Sequence, residues 1–334
     1  MRPMNAANRS VLVTGGAGYI GSHTVLELCG HGHDVTVFDS LSTGHEINID
    51  PRAEFIRGDI LNTDELKAVF SKSYDAVFHF AALKAAGESM LEPQKYSTAN
   101  ITGTINILNQ MIEHDVKNIV YSSTAAVYGM PEYLPVDEGH PLEPINFYGF
   151  TKLEIERLLY WYSELKGIRY AALRYFNAVG YDLKGRITGL EKDPLNLLPI
   201  VMETAIGSRK AMQVYGDDYK TRDGSGIRDY IHVSDLAAGH VKAMEYMMNQ
   251  KKNLILNLAT GSGYSVLDVI ESAEKITGET ISHKVTSRRS GDPAELIAVS
   301  KLAKDKIGFE CKYSDIKTIL ESMWNVYNNQ KAVC

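Results

Sequence analysis

The sequence predicts an α/β fold: a doubly wound parallel sheet with a smaller mixed α/β lobe towards the C-terminus. Three observations carry this. Short apolar runs alternate with amphipathic segments through the first half of the chain. The first run, Val11-Leu12-Val13, leads directly through the glycine-rich turn TGGAGYIG into a helical pattern. Past Asn177 the rhythm gives way to stretches rich in Gly, Asp and Pro.

Taken in order, Val11-Leu12-Val13 is a short buried strand, and Val25, Leu26 and Leu28 form an apolar helix stripe ending near Gly30 and Gly32. DVTVFD is the second strand. AEFIRGDI (strand), TDELKAVFS (helix), DAVFHFAAL (strand), TANITGTINILNQMIEHDV (helix) and KNIVYSST (strand) follow. A helix over 148–166 closed by Gly167 leads to the strand IRYAALRYFN. Such alternation implies right-handed βαβ units and a sheet covered on both faces. AVGYDLKGRITGLEKDPLNLLP and YGDDYKTRDGSGIRDY read as long functional loops, while IHVSDLAAGHVKAMEYMM and NLILNLATG return to the α/β rhythm. The expected division is a Rossmann domain over 1–177 with returning segments near 228–260, and a substrate lobe from 178–227 and 261–334.

At 334 residues, 44% hydrophobic and 23% charged, the composition is that of a globular protein. A net charge of -6 argues against nucleic acid or an anionic membrane surface as the main partner. Cys29, Cys311 and Cys334 are scattered, which suits thiols in a reducing compartment. No apolar run approaches the ~20 residues of a membrane span, and MRPMNAANRS has no signal-peptide core. A cytoplasmic location is expected. The ten histidines, His79 and His232 among them, show no ligand spacing and are read as structural, with no metal site.

Glycines at 15, 18 and 21, between a strand and a helix, suit a turn where backbone must approach a pyrophosphate at the helix N-terminus. Asp39 ends the next strand, where a carboxylate can accept from both adenosine ribose hydroxyls and repel a 2′-phosphate, favouring NAD over NADP. Tyr148 and Lys152 lie four apart on one helix face. The same spacing recurs at Tyr162/Lys166, Tyr313/Lys317 and Tyr327/Lys331, so spacing decides nothing. Only Tyr148 follows a hydroxyl-rich strand end, YSSTAAVYG, which brings Thr124 towards it at the carboxyl edge of the sheet. A neighbouring ammonium would favour the phenolate and make Tyr148 a base. Arg228, Arg288 and Arg289 lie in or beside glycine-containing loops suited to diphosphate, although such arginines are more often solvated surface charges.

Together, VLVTGGAGYIGSHT, GHDV, GDI, VFHFAALKAAGES, YSSTAAVYG, YGFTK, LRYFNAVG, GSGIRDYIHVSDLA and RRSGDPA resemble the extended short-chain dehydrogenase/reductase family over nearly the whole chain. Within it, the resemblance is to the UDP-hexose 4-epimerases. It implies cofactor contacts at Gly15, Gly18, Tyr19, Ile20, Gly21, Asp39, Asp59, Ile60, Phe80, Ala81, Ala82, Lys84, Asn100, Tyr148, Lys152 and Tyr175. Substrate contacts are implied at Lys84, Thr124, Tyr148, Asn177, Asn196, Leu197, Val214, Tyr215, Arg228, Arg289 and Asp292, with Leu296 beside carbon 2 of the hexose. Thr124, Tyr148 and Lys152 match the family's catalytic hydroxyl–Tyr–Lys set; Thr124 stands where many members have Ser, and Ala82 where Gly is familiar.

The implied reaction takes a UDP-hexose, oxidises carbon 4 with NAD, lets the 4-keto sugar turn over, and reduces its other face. Tyr148 would move the proton, Lys152 would hold the nicotinamide ribose and lower the Tyr148 pKa, and Leu296 would admit N-acetylated sugars. A homodimer is implied, with TGTINILNQMIEH and EIERLLYWYSELK as its helices. Two rival readings are a nucleotide-sugar 4,6-dehydratase, disfavoured because Ala125 and Ala126 stand where Asp-Glu would be needed, and a non-catalytic NAD sensor, disfavoured by the intact base.

Overall fold

The computed structural model describes residues 8–192, 194–289 and 291–331; the first seven residues of the segment read for a leader, Cys334 and the Lys331 side chain lie outside them. Strands β1 (Ser10–Thr14), β2 (Asp34–Asp39), β3 (Glu54–Arg57), β4 (Ala76–His79), β5 (Asn118–Ser122) and β6 (Arg169–Tyr175) join Leu254–Leu258 in a seven-stranded sheet. All pairings are parallel, in the order Leu254–Leu258, β6, β5, β4, β1, β2, β3. The order reverses between β1 and β4, where a crevice opens beyond the carboxyl ends of the strands. Burial on both faces explains the unbroken apolar runs: β5 is buried at every residue and β1 at all but its first.

The helix Tyr19–Gly30 is buried over Gly21 to Leu26 and at Leu28 and Cys29. Val25 and Leu28 pack into the sheet core while Leu26 joins the core of the lobe, so both bodies enclose the helix. The single stripe read from the sequence becomes burial nearly all round. The expected continuous helix before β5 is instead a wide π-turn over Ser97–Thr102 followed by a helix over Gly103–Glu113. The helix Phe147–Lys166 begins where the Asn146 side chain accepts from the Gly149 N–H (2.8 Å) and closes at Gly167, φ 69°.

The lobe packs helices Leu197–Ala205, Val266–Thr277 and Ile316–Lys331 through Leu198, Val201, Met202, Ile270, Leu320 and Met323. Two short sheets border it: Met212–Tyr215 beside His283–Thr286, and a three-stranded one of Tyr264–Ser265, Ile227–Arg228 and Glu295–Leu296. The helix Lys301–Ile307, late in the chain, contributes Ala303 to the sheet core together with Phe309. Among the described residues no helix is long and apolar enough to cross a membrane.

Candidate active site

At the end of β1 the chain turns through Gly15 at φ +75°, and a Cβ there would lie 2.5 Å from the Ala81 nitrogen. Glycine is therefore required where the turn meets the end of β4. Phe80 and Ala81 both donate to the Thr14 carbonyl, at 2.9 and 3.1 Å. Gly18 is the N-cap of the helix Tyr19–Gly30, which has no side-chain cap and no acid in its first turn. Its free N–H groups can receive an anion. Asp39 is buried at the end of β2 and accepts from Ala17 N–H (2.9 Å) and Leu41 N–H (2.8 Å), one on each oxygen. Each oxygen keeps a lone pair for a ribose hydroxyl. This donor and acceptor set fits NAD.

Other residues expected around that cofactor have partners of their own in the fold. The Tyr19 hydroxyl bonds the Gly180 carbonyl, and its ring lies against His23 and Tyr181, so the side chain ties helix to lobe. Ile20 packs on the sheet core, while Phe80 reaches the same core with its ring tilted against that of His240. Asn100 is fully buried; its amide donates to Leu83 O (3.1 Å) and Thr151 Oγ1 (3.0 Å) and accepts from Leu83 N–H (2.8 Å). Both amide hydrogens are thus taken, and Asn100 braces the 82–84 segment against the Phe147–Lys166 helix. Asp59 is exposed and accepts from Leu61 N–H (2.9 Å); Ile60, beside it, is buried. Lys84 pairs with Glu191 of the lobe at 2.6 Å.

Thr124 follows β5 and caps the short turn Ala125–Val127; its Oγ1 accepts from Ala126 N–H (3.2 Å) and hydrogen-bonds the Tyr148 phenol. A Cβ on Gly149 would stand 2.5 Å from the Ala126 carbonyl, so this glycine lets the helix start close against the Thr124 turn. Lys152 is 2% exposed, donates to the Ser122 carbonyl (2.8 Å) and holds its Nζ 4.9 Å from the Tyr121 ring centre and 5.9 Å from that of Tyr148. Tyr175 bonds the Ser122 hydroxyl. The other Tyr-x-x-x-Lys pairs are elsewhere: Tyr162 bonds Asn109 (3.2 Å), Tyr313 is on the surface, and Tyr327 is buried in the lobe core.

The electrostatics differ from the expectation that Lys152 lowers the Tyr148 pKa. Burial pushes the phenol up to about 12, and the Thr124 hydrogen bond pulls against it. Burial also pushes Lys152 down to about 7, opposed by the charge of Glu156. The hydroxyl of Thr124 is the group that pulls the phenol down.

Sequence reasoning missed what lies behind the lysine. Glu156, one turn on from Lys152, is buried and accepts from Arg174 Nε (3.0 Å) and Nη2 (2.5 Å) and from the Ser123 hydroxyl. Arg174 Nη1 donates to the Tyr128 hydroxyl (3.1 Å), which donates to Asn257 Oδ1 (2.6 Å). The signal was present: an arginine inside the apolar strand YAALRYF needs a buried partner. His79 bridges Thr14 Oγ1 (2.8 Å) and Thr104 Oγ1 (2.9 Å), and burial holds it neutral, pushed down to about 3.

On the lobe side, Asn177 donates to the Asp229 carbonyl (2.9 Å). Asn196 precedes Leu197 at the start of the helix Leu197–Ala205 and makes no side-chain cap. Val214 is 1% exposed with its side chain in the lobe core, which leaves only its backbone to meet a ligand. Arg228 pairs with Asp292, and the Arg289 guanidinium lies 3.8 Å over the Tyr215 ring. Arg288 is held away by Asp218 (2.7 Å). Leu296 sits opposite Arg228 in parallel register and packs on the cluster that contains Ala125, Leu153 and Phe176. This joins the lobe strand to the turn after Thr124.

Residues 11–259 match the NAD dependent epimerase/dehydratase family. The chain is 47% identical over 317 residues to a UDP-glucose 4-epimerase of Halalkalibacterium halodurans, covering 95% of each chain. Its fold superposes on the Brucella ovis UDP-glucose 4-epimerase crystallised with NAD with a TM-score of 0.93, at 43% identity, over 96% of this chain and 98% of that one. A UDP-Glc/GlcNAc 4-epimerase from Campylobacter jejuni superposes with a TM-score of 0.84, at 35% identity, over 96% of this chain and 99% of that one.

Proposed function

The chain belongs to the NAD dependent epimerase/dehydratase family, and from that membership and its site we infer that it interconverts UDP-glucose and UDP-galactose with NAD as cofactor. The observation that carries this reading is the Thr124–Tyr148–Lys152 set at the carboxyl edge of β5, beside the glycine turn and Asp39.

The free N–H groups after Gly18 hold the pyrophosphate and Asp39 holds the adenosine ribose. Bound there, NAD would supply reversible hydride acceptance for carbon 4 of the sugar. Tyr148 takes the proton of the 4-hydroxyl and returns it, and Thr124 holds both oxygens in line. Lys152 positions the nicotinamide ribose and adds positive charge, with Glu156 keeping part of that charge in place. Ala125 and Ala126 have no proton to move, which favours epimerisation over loss of water. Arg228, Arg289, Tyr215 and Asn177 grip the UDP, while the hexose lies between Thr124 and Leu296. Residues 1–177 with 228–260 serve as the cofactor half, and 178–227 with 261–334 as the substrate half. A cytoplasmic location suits the soluble nucleotide sugar.

The enzyme also acts as a homodimer in this reading. On the Phe147–Lys166 helix Ile155 and Leu159 are in the core, yet Tyr160, Trp161 and Leu165 are 49%, 57% and 70% exposed. Such an apolar face suits a second copy of the chain. Sedimentation showing a monomer at micromolar concentration refutes it.

Because the reaction has no net redox change, purified protein given UDP-galactose and no added NAD should form UDP-glucose, and should release NAD on denaturation. No conversion would refute the resident cofactor, and release of NADP would refute the role of Asp39.

A further inference from the structure

The turn His31-Gly32-His33 lies at the far end of β2 from Asp39, about 17 Å away along the strand. The spacing alone was read as no ligand set. The fold adds Glu245, from the helix Val233–Gln250 that packs on the helix Tyr19–Gly30. One donor atom from each of His31, His33 and Glu245 lies within 4.8 Å of the other two.

A second, independent observation is that His33 is 7% exposed and its Nε2 has no hydrogen-bond partner. Its Nδ1 already accepts from the Arg9 N–H at 3.3 Å, so Nε2 is the atom left to bind. A buried imidazole nitrogen without a partner is costly unless something satisfies it. His31 Nε2 meets Glu27 at 3.2 Å, which supplies a further carboxylate at the rim.

We propose that His31, His33 and Glu245 form a divalent transition-metal site of the zinc, cobalt or nickel type. Two imidazoles and a carboxylate match borderline cations and not magnesium or calcium. Tetrahedral ligation brings donors to about 3.4 Å from one another, a small closure from the observed spacing. His31 is on the surface, with its ring stacked on that of His33. The ion would pin the helix after the glycine turn to the helix Val233–Gln250, stabilising the cofactor half from the edge opposite its ligand.

The test is calorimetric titration of the NAD-loaded protein with zinc chloride at pH 7.5, alongside thermal melting. The expected result is one saturable equivalent, a rise in melting temperature, and at least tenfold weaker binding in both His31→Ala and Glu245→Gln. Epimerisation by these variants should match wild type. His33 is left intact because its burial makes misfolding the obvious outcome of replacing it. Absence of a saturable equivalent overturns the site, as does unchanged affinity in either variant.

Discussion

The two halves of the site hold their charged groups by opposite means. Behind Tyr148, Lys152, Glu156 and Arg174 are each 5% exposed or less and are tied to backbone or to one another. In the lobe, the side chains of Arg228 and Asp292 are 16% and 34% exposed, and Arg289 rests on a tyrosine face at the surface. The first half stands on a seven-stranded sheet, the second on strands of two to four residues. Chemistry that must place a proton needs fixed, dry groups, whereas a diphosphate can be gripped by side chains that exchange one partner for another. If Arg228 binds the diphosphate as proposed, it has to leave or share Asp292.

The largest effect should come from the rigid half. Tyr148→Phe removes the group proposed to move the proton and should lower kcat by roughly 10³-fold or more while leaving NAD bound. Tyr162→Phe loses one surface hydrogen bond and should stay within about twofold. Comparable losses from the two, measured by steady-state kinetics, would break the distinction. Glu156→Gln comes next, because it leaves Arg174 buried against a neutral amide. It should cost about 3 kcal/mol of stability, read from the urea midpoint. Glu156→Gln with Arg174→Met should recover part of that loss; no recovery would mean that the pair is not the cause.

How much of this was legible follows the same division. The glycine turn, Asp39 and the Tyr148 helix were readable because each signal is local: a turn, a strand end, a spacing on one helix. The Glu156–Arg174 pair joins a helix to a neighbouring strand, and only the arginine in an apolar strand hints at it. The bonds of the Asn100 amide to Leu83 and Thr151 run across a π-turn that no periodicity announces. The side chain of Val214 faces the lobe core, which a strand of four residues does not announce. Ile227–Arg228 and Glu295–Leu296 are too short to show a period of two, so their pairing was invisible.

A smaller effect concerns Lys152 and pH. Burial lowers its pKa from 10.5 to about 7. Between those values the folded protein binds fewer protons than the unfolded chain, so stability rises with pH through the window and the penalty is fully present below it. Lys152→Met has no such dependence. Its advantage over wild type should shrink by about 2 kcal/mol between pH 7 and 9, read from urea midpoints at both values. A constant gap would show that the lysine keeps its ordinary pKa.

The smallest effect belongs to the adaptable half, at Leu296. This residue is half-buried, lies opposite Arg228 and packs on the cluster that includes Ala125, the residue after Thr124. It therefore sits where a hexose held by Thr124 and a diphosphate held by Arg228 would turn one edge towards it. A leucine can swing its branched tip aside, whereas a tyrosine would fill that edge with a ring. An acetamido group on carbon 2 adds only a few heavy atoms, so wild type should accept UDP-N-acetylglucosamine and UDP-N-acetylgalactosamine as well as the plain hexoses. Leu296→Tyr should lower kcat/KM for the N-acetylated pair by about tenfold relative to the plain pair, about 1.4 kcal/mol of added discrimination. The catalytic wall is untouched by this change, so activity on UDP-galactose should hold. If wild type ignores the N-acetylated pair, or if the tyrosine leaves that activity intact, Leu296 does not border carbon 2.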